Sequence, residues 1–369
     1  MKTLDESIEA LLSGPPYCLG SEEAIADVFA LLREQVVRAA QHSDLYANYV
    51  RHWPIKVEHA QSIAELPYIP VSAFKRNPPL ALVPAEKYQR ILLSSATTDQ
   101  VPSRIAIDAL TAKRMTRGVV AILRDFIGSD RRPYLIVDSA ESNAASATLG
   151  ARGAAIRALS PFATEAVYCL KGGNLDIDDE ALQLFIEQHG DKPVIIYGFT
   201  SILWTKLIQP LITKGKTLGL RQAVILHSGG WKKLIDESVS KETFNTSVSH
   251  VIGCQEIKII DYYGMVENLG IIYPDCAAGN KHAPVYGAVV IRDPLTLKPV
   301  PAGGTGIVQV CSALPASFPG HLLLTEDMAT VIAEDGCSCG RPGIAFRFVG
   351  RIAKAEVRGC GNIDRQRTA

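Results

Sequence analysis

The sequence has no excess of charge of either sign, no internal repeat and no low-complexity segment. Its 369 residues contain 38 Lys and Arg against 38 Asp and Glu, so the formal net charge is zero. A protein that binds nucleic acid through its phosphates needs a basic surface, which a balanced chain without a basic run does not predict. We therefore expect no nucleic acid partner.

The usual features of secreted and membrane proteins are also missing. No stretch is apolar over the roughly 20 residues that a membrane-spanning helix needs. Residues 1–14 contain four charged side chains and lack the apolar centre of a secretory signal. The eight cysteines are too sparse for a disulfide-stabilised scaffold. We expect a cytoplasmic protein without a membrane partner, whose thiols are reduced and are buried, catalytic or metal-bound.

What is present indicates a globular α/β protein. Hydrophobic residues make up 47% of the chain and charged residues 21%. Amphipathic segments such as 110–127 and 179–189 predict helices. They alternate with short apolar runs that predict buried strands at residues 134–137, 194–197, 223–226 and 257–262. This alternation predicts a largely parallel sheet.

The chain is longer than the roughly 150 residues of a typical domain. After Pro284, short β runs separated by Gly and Pro turns predict a smaller β-rich lobe. We therefore divide the chain into α/β lobes over about residues 1–283, a β-rich lobe over 284–350 and a short tail over 351–369 that carries Cys360.

The short apolar run 91–93, which also predicts a strand, and the predicted strands 223–226 and 257–262 end in polar or glycine-rich turns. In an open parallel sheet, ligands bind outside the carboxyl ends of the strands. We therefore expect one site at a crevice formed by three turns, Ser94-Ser95, Ser228-Gly229-Gly230 and Tyr263-Gly264.

Four segments resemble the motifs of acyl-adenylating (AMP-forming ligase) enzymes, and they occur in the same order. They are residues 93–99, similar to the phosphate loop Ser-Ser-Gly-Thr-Thr-Gly, residues 261–267, similar to Tyr-Gly-x-Thr-Glu, residues 325–329, similar to Thr-Gly-Asp-Leu, and Gly350-Arg351, similar to the Gly-Arg before the hinge. The resemblance implies the large-domain fold of that superfamily, with parallel-sheet α/β lobes and a smaller β-rich lobe. With this resemblance we expect the usual C-terminal domain to be reduced to a short tail.

Within that superfamily, the chain resembles the acyl-protein synthetase (long-chain-fatty-acid:protein ligase) family of bacterial luminescence. The likeness runs from about Leu11 to Cys360. It rests on residues 227–232 (His-Ser-Gly-Gly-Trp-Lys), 319–321 (Pro-Gly-His), 339–341 (Cys-Gly-Arg) and the ending from Gly350.

The resemblance implies roles for five residues. Tyr263 and Gly264 place the adenine of AMP, and Glu267 binds magnesium, which prefers hard oxygen ligands. Asp327 and Arg351 bind the ribose. Taken singly, each charged residue has an ordinary alternative. These are a solvated acid at a helix N-terminus for Glu267, a turn residue for Asp327 and a surface ion pair for Arg351.

The phosphate loop departs from the family pattern in a way that argues against ATP and magnesium as cofactors. Its two glycines are replaced by Ala96 and Asp99, and backbone N–H groups wrap an anion most closely in glycine-rich turns. Asp99 adds a negative charge where the pyrophosphate of ATP would lie. Two like charges about 4 Å apart repel each other by about 4 kcal/mol at an effective dielectric of about 20. The hydroxyls that remain to hold a smaller group belong to Ser94, Ser95, Thr97 and Thr98.

Cys360 is the predicted nucleophile. In the luminescence family a cysteine near the C-terminus accepts the acyl group, and Cys360 has a matching context. The nearby Arg358 lowers a thiol pKa, and thiolate catalysis divides acyl transfer into two easier steps. His227, and secondly His321, are candidates to orient or deprotonate a thiol. The alternatives are a cysteine without function and two structural histidines.

These observations predict an acyltransferase. It takes an acyl group, with a preference for an aromatic one, from a coenzyme A thioester and passes it, through Cys360 or directly, to the phosphopantetheine thiol of an acyl carrier protein. Two alternatives stay open. One is an ATP-dependent acyl-protein synthetase that acylates Cys360, and the other is an inactive binding partner in an acyl pathway.

Four further residues form a candidate zinc site. Cys276 and His282 are separated by five residues, and Cys337 and Cys339 form a Cys-x-Cys pair. Three cysteines and one histidine suit a closed, structural zinc site. The alternative is four ordinary turn and core residues.

Overall fold

The computed structural model describes residues 2–17, 22–94, 101–143, 148–231, 238–254 and 256–352. The helices are α1 (Leu4–Leu11), α2 (Glu22–His42), α3 (Asp44–Arg51), α4 (Ala109–Ile127), α5 (Ala151–Ala158), α6 (Asp179–His189), α7 (Thr200–Ile202), α8 (Gln209–Thr213) and α9 (Lys241–Ile252). Among these described helices, none combines the length and the apolarity of a membrane span.

The strands are β1 (Ile69–Pro70), β2 (Arg90–Leu93), β3 (Arg104–Ile107), β4 (Arg132–Ile136), β5 (Thr148–Gly150), β6 (Ala163–Tyr168), β7 (Leu170–Lys171), β8 (Asp176–Ile177), β9 (Pro193–Phe199), β10 (Gln222–Ser228), β11 (Glu256–Tyr263), β12 (Tyr273–Pro274), β13 (Lys281–His282), β14 (Gly287–Arg292), β15 (Thr305–Ser312), β16 (Leu322–Ala333) and β17 (Ala345–Arg351). Each of the four buried strands predicted from apolar runs is present, as β4, β9, β10 and β11.

The central sheet has six strands in the order β12-β11-β10-β9-β4-β6. Every neighbouring pair from β11 to β6 is parallel, and β12 pairs antiparallel with β11 at the edge. The prediction of a largely parallel α/β sheet is confirmed. The sequence did not predict β6, because this edge strand is half-solvated and has the mixed sequence Ala-Thr-Glu-Ala-Val-Tyr.

A second sheet has the order β13-β17-β16-β15-β14, and its neighbours are antiparallel. The short strand β1 adds to it in parallel with β16. Most of this sheet comes from residues 287–351, as the predicted β-rich character of that region indicates, but β1 and β13 join it from earlier in the chain. Its longest strand, β16, contains the 325–329 motif, which the sequence analysis did not place on a strand.

Two helical stretches are interrupted. Helices α2 and α3 are separated at Ser43, whose hydroxyl accepts a hydrogen bond from the Tyr46 N–H at the start of α3. A side chain that caps backbone N–H groups in this way favours a new helix start over continuation. The helix that follows β9 contains a π-helical turn, Leu203–Ile208, between α7 and α8.

The two faces of the central sheet are buried in different cores, because successive side chains of a strand point to opposite faces. In β10, Val224 and Leu226 belong to the large core that includes α4 and the second sheet. Ala223 and Ile225 belong to a core formed with α6 to α9. The position of a residue within its strand therefore decides which side of the sheet its chemistry can serve.

Helix α4 holds the turn that follows β11 in place. Asp108 caps the helix by accepting from the Thr111 N–H, and the helix ends at Gly128, where φ is +80°. In its middle, Gly118 faces Gly270, and a Cβ atom on Gly118 would lie 2.6 Å from the Gly270 carbonyl oxygen. This close approach brings the turn that carries Glu267 against the helix.

We expect Gly118→Ala to destabilise the protein despite its helical position. Alanine improves helix propensity by about 1 kcal/mol, but overlap with backbone that cannot move aside costs about 1–3 kcal/mol. The overlap should prevail, because the contacted atom is a main-chain oxygen. Urea unfolding should therefore show a net loss of stability.

The matched control is Gly173→Ala, since a Cβ atom on Gly173 would have no heavy atom within 4 Å. This variant should stay within about 0.5 kcal/mol of the parent chain. A Gly118→Ala protein that is as stable as the parent would mean that α4 and the 264–270 turn are not in this close contact.

Candidate functional site

The carboxyl ends of β9, β10 and β11 meet at one edge of the central sheet. In the parallel register, Ser228 at the end of β10 lies between Phe199 of β9 and Tyr262 of β11. Gly229 follows with φ +81°, and a Cβ atom there would lie 2.7 Å from the Phe199 ring. The turns at 228–230 and 263–264 are therefore neighbours, so that both border the same crevice.

The base of the phosphate-loop segment is a hairpin. Strands β2 and β3 are antiparallel, and the Ser94 hydroxyl accepts a hydrogen bond from the Ser103 N–H at 2.9 Å. The Ser94 N–H donates to the Ser103 carbonyl oxygen at 3.1 Å. Five predicted or departing residues of the loop lie outside the described residues, namely Ser95, Ala96, Thr97, Thr98 and Asp99.

Glu267 is a buried carboxyl close to that hairpin base. It lies on a 3₁₀ turn, Val266–Asn268, and is 6% exposed. Burial raises the pKa of the Glu267 carboxyl, and the neighbouring Ser103 hydroxyl opposes this shift. The structure therefore brings Glu267 and Ser94 together through Ser103, although they are more than 170 residues apart in sequence.

Tyr263, Asp327 and Arg351 form one contact group. The Tyr263 hydroxyl donates to Asp327 Oδ2 at 2.8 Å. Arg351 Nε lies 3.5 Å from Asp327 Oδ1, because the two residues are register partners on β16 and β17. Burial raises the pKa of Asp327, and the Tyr263 hydrogen bond and the Arg351 charge oppose the shift. Both carboxylate oxygens of Asp327 thus face donors from this chain.

The Tyr263 ring is engaged as well. It stacks against Phe348 with ring centroids 5.2 Å apart and against Tyr273 at 5.8 Å. Gly264, the next residue, lies close to Ile272, whose Cγ2 would be 3.3 Å from an added Cβ atom. The second sheet therefore contributes, through Phe348, to the surroundings of the predicted adenine-binding tyrosine.

Sequence reasoning missed a group of buried tyrosines beneath Ser228. The Tyr262 hydroxyl donates to the Tyr197 hydroxyl at 3.2 Å, and the Tyr197 hydroxyl lies 3.3 Å from Ser228 Oγ. The rings of Tyr197 and Tyr262 are also stacked, 6.3 Å apart. A signal was present, because each tyrosine is in an apolar strand and a buried phenol needs a hydrogen-bond partner.

A second missed group is an ion pair at the end of β4. Asp138 is 2% exposed and receives two hydrogen bonds from the Arg152 guanidinium, one of them from Nε at 3.0 Å. The Asp138 carboxylate also accepts from the Ser139 N–H. Asp138 directly follows the apolar run 134–137, and an acid at the end of a buried parallel strand was the available signal.

His227 points to the other face of the sheet from Ser228. Its ring packs on Phe244 of α9, with centroids 4.7 Å apart, and its Nδ1 lies 2.9 Å from the Thr200 hydroxyl. Burial lowers the pKa of His227, and the charge of Asp261, 3.8 Å away, opposes this. These contacts are those of a neutral core histidine, and the proposed role of His227 in thiol activation stays a prediction.

His321 is also enclosed. It is 1% exposed, and burial lowers its pKa to about 3. Cys360, the predicted nucleophile, lies outside the described residues. Gly230 is described, and an added Cβ atom there would meet no atom within 4 Å.

The four candidate metal ligands come together in space. Cys276, His282, Cys337 and Cys339 each offer one ligand atom, and these atoms all lie within 4.8 Å of one another. The group lies where the loop between β12 and β13 meets the β16–β17 hairpin.

Glu267 should make stability depend on pH in a defined direction. A carboxyl whose pKa is raised on folding contributes stability that is present below the unfolded pKa and is lost as pH rises through the folded pKa. Glu267→Gln stays neutral, so its thermal midpoint relative to the parent should rise as the pH increases above the ordinary glutamate pKa of about 4.3. Exposed Glu58→Gln is the control and should show no such trend. A Gln variant that loses stability at neutral pH would instead indicate an ionised Glu267 held by a cation.

Comparison with known proteins gives a consistent assignment. A model of the family described as "Acyl-protein synthetase, LuxE" matches residues 3–368. The long-chain-fatty-acid–luciferin-component ligase of Vibrio harveyi is 25% identical over 307 residues, which cover 82% of this chain and 78% of that protein. The ligase of the same name from Aliivibrio fischeri is 25% identical over 341 residues, with 89% and 86% covered.

Solved structures show the fold relationship. A 2-hydroxyisobutyryl-CoA ligase in an open conformation, in complex with 2-HIB-AMP and CoA, matches with a TM-score of 0.69 and 15% identity over 90% of this chain and 76% of that one. The same ligase in the postadenylation state matches with a TM-score of 0.70, over 91% and 70%. The fold is therefore that of the acyl-adenylating enzymes. Because the family match spans nearly the whole chain, this protein belongs to the acyl-protein synthetase family.

Proposed function

We propose that this acyl-protein synthetase family member is an acyltransferase that works without ATP. It takes an acyl group from acyl-CoA, holds it as a thioester on Cys360 and delivers it to the phosphopantetheine thiol of an acyl carrier protein. An aromatic acyl group is the first class to test, since Tyr197 and Tyr262 lie below Ser228 at the sheet edge.

The observation that carries the proposal is the internal pairing of the nucleotide-type residues. Asp327 Oδ2 accepts from the Tyr263 hydroxyl at 2.8 Å, and Asp327 Oδ1 lies 3.5 Å from Arg351 Nε. A ribose diol would have to compete with both. The Tyr263 ring is stacked on the Phe348 ring. An adenine would have to displace Phe348 from this stack or add to the stack as a further ring.

The surroundings of Glu267 also disfavour magnesium and ATP. Its carboxyl is buried, and burial and the charge of Asp327 both raise its pKa. The neighbouring hairpin leads into a loop with Ala96 and Asp99 in place of glycines, so a polyphosphate would meet added negative charge. As arranged, these residues do not fit a magnesium–ATP complex, and the proposed mechanism includes no step through one.

The chemistry needs only thiols and a polarised carbonyl. The Cys360 thiolate attacks the acyl carbonyl carbon of acyl-CoA, a new carbon–sulfur bond forms, and the bond to the CoA sulfur breaks. CoA leaves as a thiolate that takes up a proton. The phosphopantetheine thiolate then attacks the Cys360 thioester in the same way and releases the Cys360 thiolate. Each step exchanges one thioester for another, so no energy-rich co-substrate is required.

The Ser228-Gly229-Gly230 turn is the proposed place for the carbonyl oxygen. The Ser228 hydroxyl lies at the sheet edge next to the tyrosine hydroxyls. The left-handed backbone at Gly229 turns the chain tightly around this point. Hydroxyl and backbone N–H donors that are fixed before reaction stabilise a developing oxyanion.

A second candidate function is an ATP-dependent acyl-protein synthetase, which forms an acyl-adenylate and then acylates Cys360. The relatives from Vibrio harveyi and Aliivibrio fischeri are both named as ligases, which favours this function. So does the grouping of Tyr263 and Asp327, with Glu267 close by. A binding partner without activity is the third outcome of the experiment below.

Intact-protein mass after mixing with substrates distinguishes these functions. We expect the chain to gain one acyl mass from an acyl-CoA in a panel of aromatic and fatty acyl groups, without ATP. The gain should disappear in Cys360→Ala, because the thiol is the acceptor. Cys254→Ser should retain the gain, since this half-buried thiol contacts the Glu256 carbonyl oxygen away from the crevice.

Free acid with ATP and magnesium forms the opposing arm. A mass gain only in this arm, together with acid-dependent pyrophosphate exchange, would establish the ATP-dependent synthetase instead. If the chain gains no acyl mass in either arm and transfers no acyl group to a carrier protein, the remaining function is that of a binding partner without activity.

Delivery to a carrier protein gives a separate prediction. A holo carrier protein should gain the acyl mass from the acylated enzyme, whereas the apo form, which has no phosphopantetheine thiol, should not. If transfer persists in Cys360→Ala, the CoA-to-carrier reaction is supported but the two-step route through Cys360 is wrong. The phosphopantetheine thiol would then attack the acyl-CoA directly.

A further inference from the structure

The loop between β12 and β13 and the tip of the β16–β17 hairpin meet in a cluster of sulfur and imidazole donors. Cys276 comes from the loop, His282 from β13 at its end, and Cys337 and Cys339 from the hairpin. The pair Cys276 and Cys337 has Sγ atoms 4.0 Å apart, and Cys339 Sγ lies 3.4 Å from His282 Nε2. All three cysteines are free thiols in the structure.

These distances match the edges of a metal-centred tetrahedron. With zinc–sulfur bonds of about 2.3 Å and zinc–nitrogen bonds of about 2.0–2.1 Å, tetrahedral ligands are about 3.8 Å apart for two sulfurs and about 3.5 Å apart for sulfur and nitrogen. The observed 4.0 Å and 3.4 Å lie within a few tenths of an ångström of these values. The other ligand atoms of the cluster also lie within 4.8 Å of one another.

The groups around the sulfurs suit thiolates. Asn280 Nδ2 donates to Cys337 Sγ at 3.3 Å, and the Arg341 N–H donates to Cys339 Sγ at 3.4 Å. Hydrogen bonds of this kind orient metal ligands and balance their negative charge. His282 is 1% exposed, and its Nδ1 has no hydrogen-bond partner among the described residues.

We propose that Cys276, His282, Cys337 and Cys339 bind one zinc ion that has a structural role. Three thiolates and one imidazole form a soft donor set that selects zinc over magnesium or calcium. With four protein ligands the coordination is complete, so no position remains for water or substrate. This inference does not depend on the proposed acyl transfer.

The zinc ion would join two parts of the fold that are distant in sequence. On the loop side, the buried Lys281 pairs with Asp275 at 2.9 Å and with Asp261 of β11 at 3.5 Å. On the hairpin side, Arg341 pairs with Asp125 of α4 and lies over the Phe126 ring. The metal thus connects a loop anchored on the central sheet to a hairpin anchored on α4.

The zinc content of the purified chain tests the proposal directly. The protein is prepared with an uncharged affinity tag and reduced thiols, and its metals are measured by mass spectrometry of the elements. We expect about one zinc per chain. Cys337→Ser and His282→Ala should each lower the zinc content several-fold, whereas Cys254→Ser, a thiol outside the cluster, should leave it unchanged.

A measurement on the unmutated chain covers the case in which ligand variants fail to fold. Cobalt added to metal-depleted protein should give the intense ligand-field absorption of a tetrahedral site and a thiolate charge-transfer band. Zinc removal by a chelator should lower the thermal midpoint, because the metal is bound only by the folded chain.

Three results would overturn the proposal. One is a reduced, folded parent chain that carries no zinc and gives no tetrahedral cobalt spectrum. Another is full zinc content in both folded ligand variants. The third is a mass two hydrogens lower in the parent chain, with a disulfide between Cys276 and Cys337 in place of a metal.

Discussion

The parallel pairing of β9, β10 and β11 is the constraint on which the rest of the structure depends. A sheet that is buried on both faces must satisfy its backbone donors and acceptors within the sheet, so its register cannot slip without exposing them to apolar core. The register places Ser228 between Phe199 and Tyr262. Alternate side chains of β10 are buried in the core beside the second sheet, and the others are buried against α6 to α9. The crevice exists because these strands end together.

The second sheet borders that crevice beside Tyr263. It supplies Asp327 and Arg351 from adjacent strands and Phe348 against the Tyr263 ring. In an acyl-adenylating enzyme such residues are expected to face a nucleotide, but here they face one another. Burial raises the pKa of both Asp327 and Glu267, which favours the uncharged forms of these carboxyls. This is the physical link between the altered phosphate loop and the proposed ATP-independent chemistry.

The β16–β17 hairpin connects the two sites of interest. Near its open end it carries Asp327 and Arg351, and at its tip it carries Cys337 and Cys339. Arg341, also at the tip, stacks on Phe126 and pairs with Asp125 of α4. Fixing the tip restricts the motion of both strands, because β16 and β17 pair from Asp327–Arg351 to Ala333–Ala345, with two register shifts between these ends. A structural metal at the tip would therefore help to hold the residues that border the crevice.

The sequence by itself determined the α/β class, the four central strands and the family, because apolar periodicity and ordered motifs are local properties of the chain. It also identified the Cys and His residues that the fold brings together. Only the tertiary structure decided which face His227 serves, that Tyr197 and Tyr262 lie under Ser228, and that Arg152 pairs with Asp138. These contacts depend on strand register and on segments distant in sequence. A one-residue change of register would reverse every side chain of a strand while leaving its composition the same, which is why no local pattern could settle them.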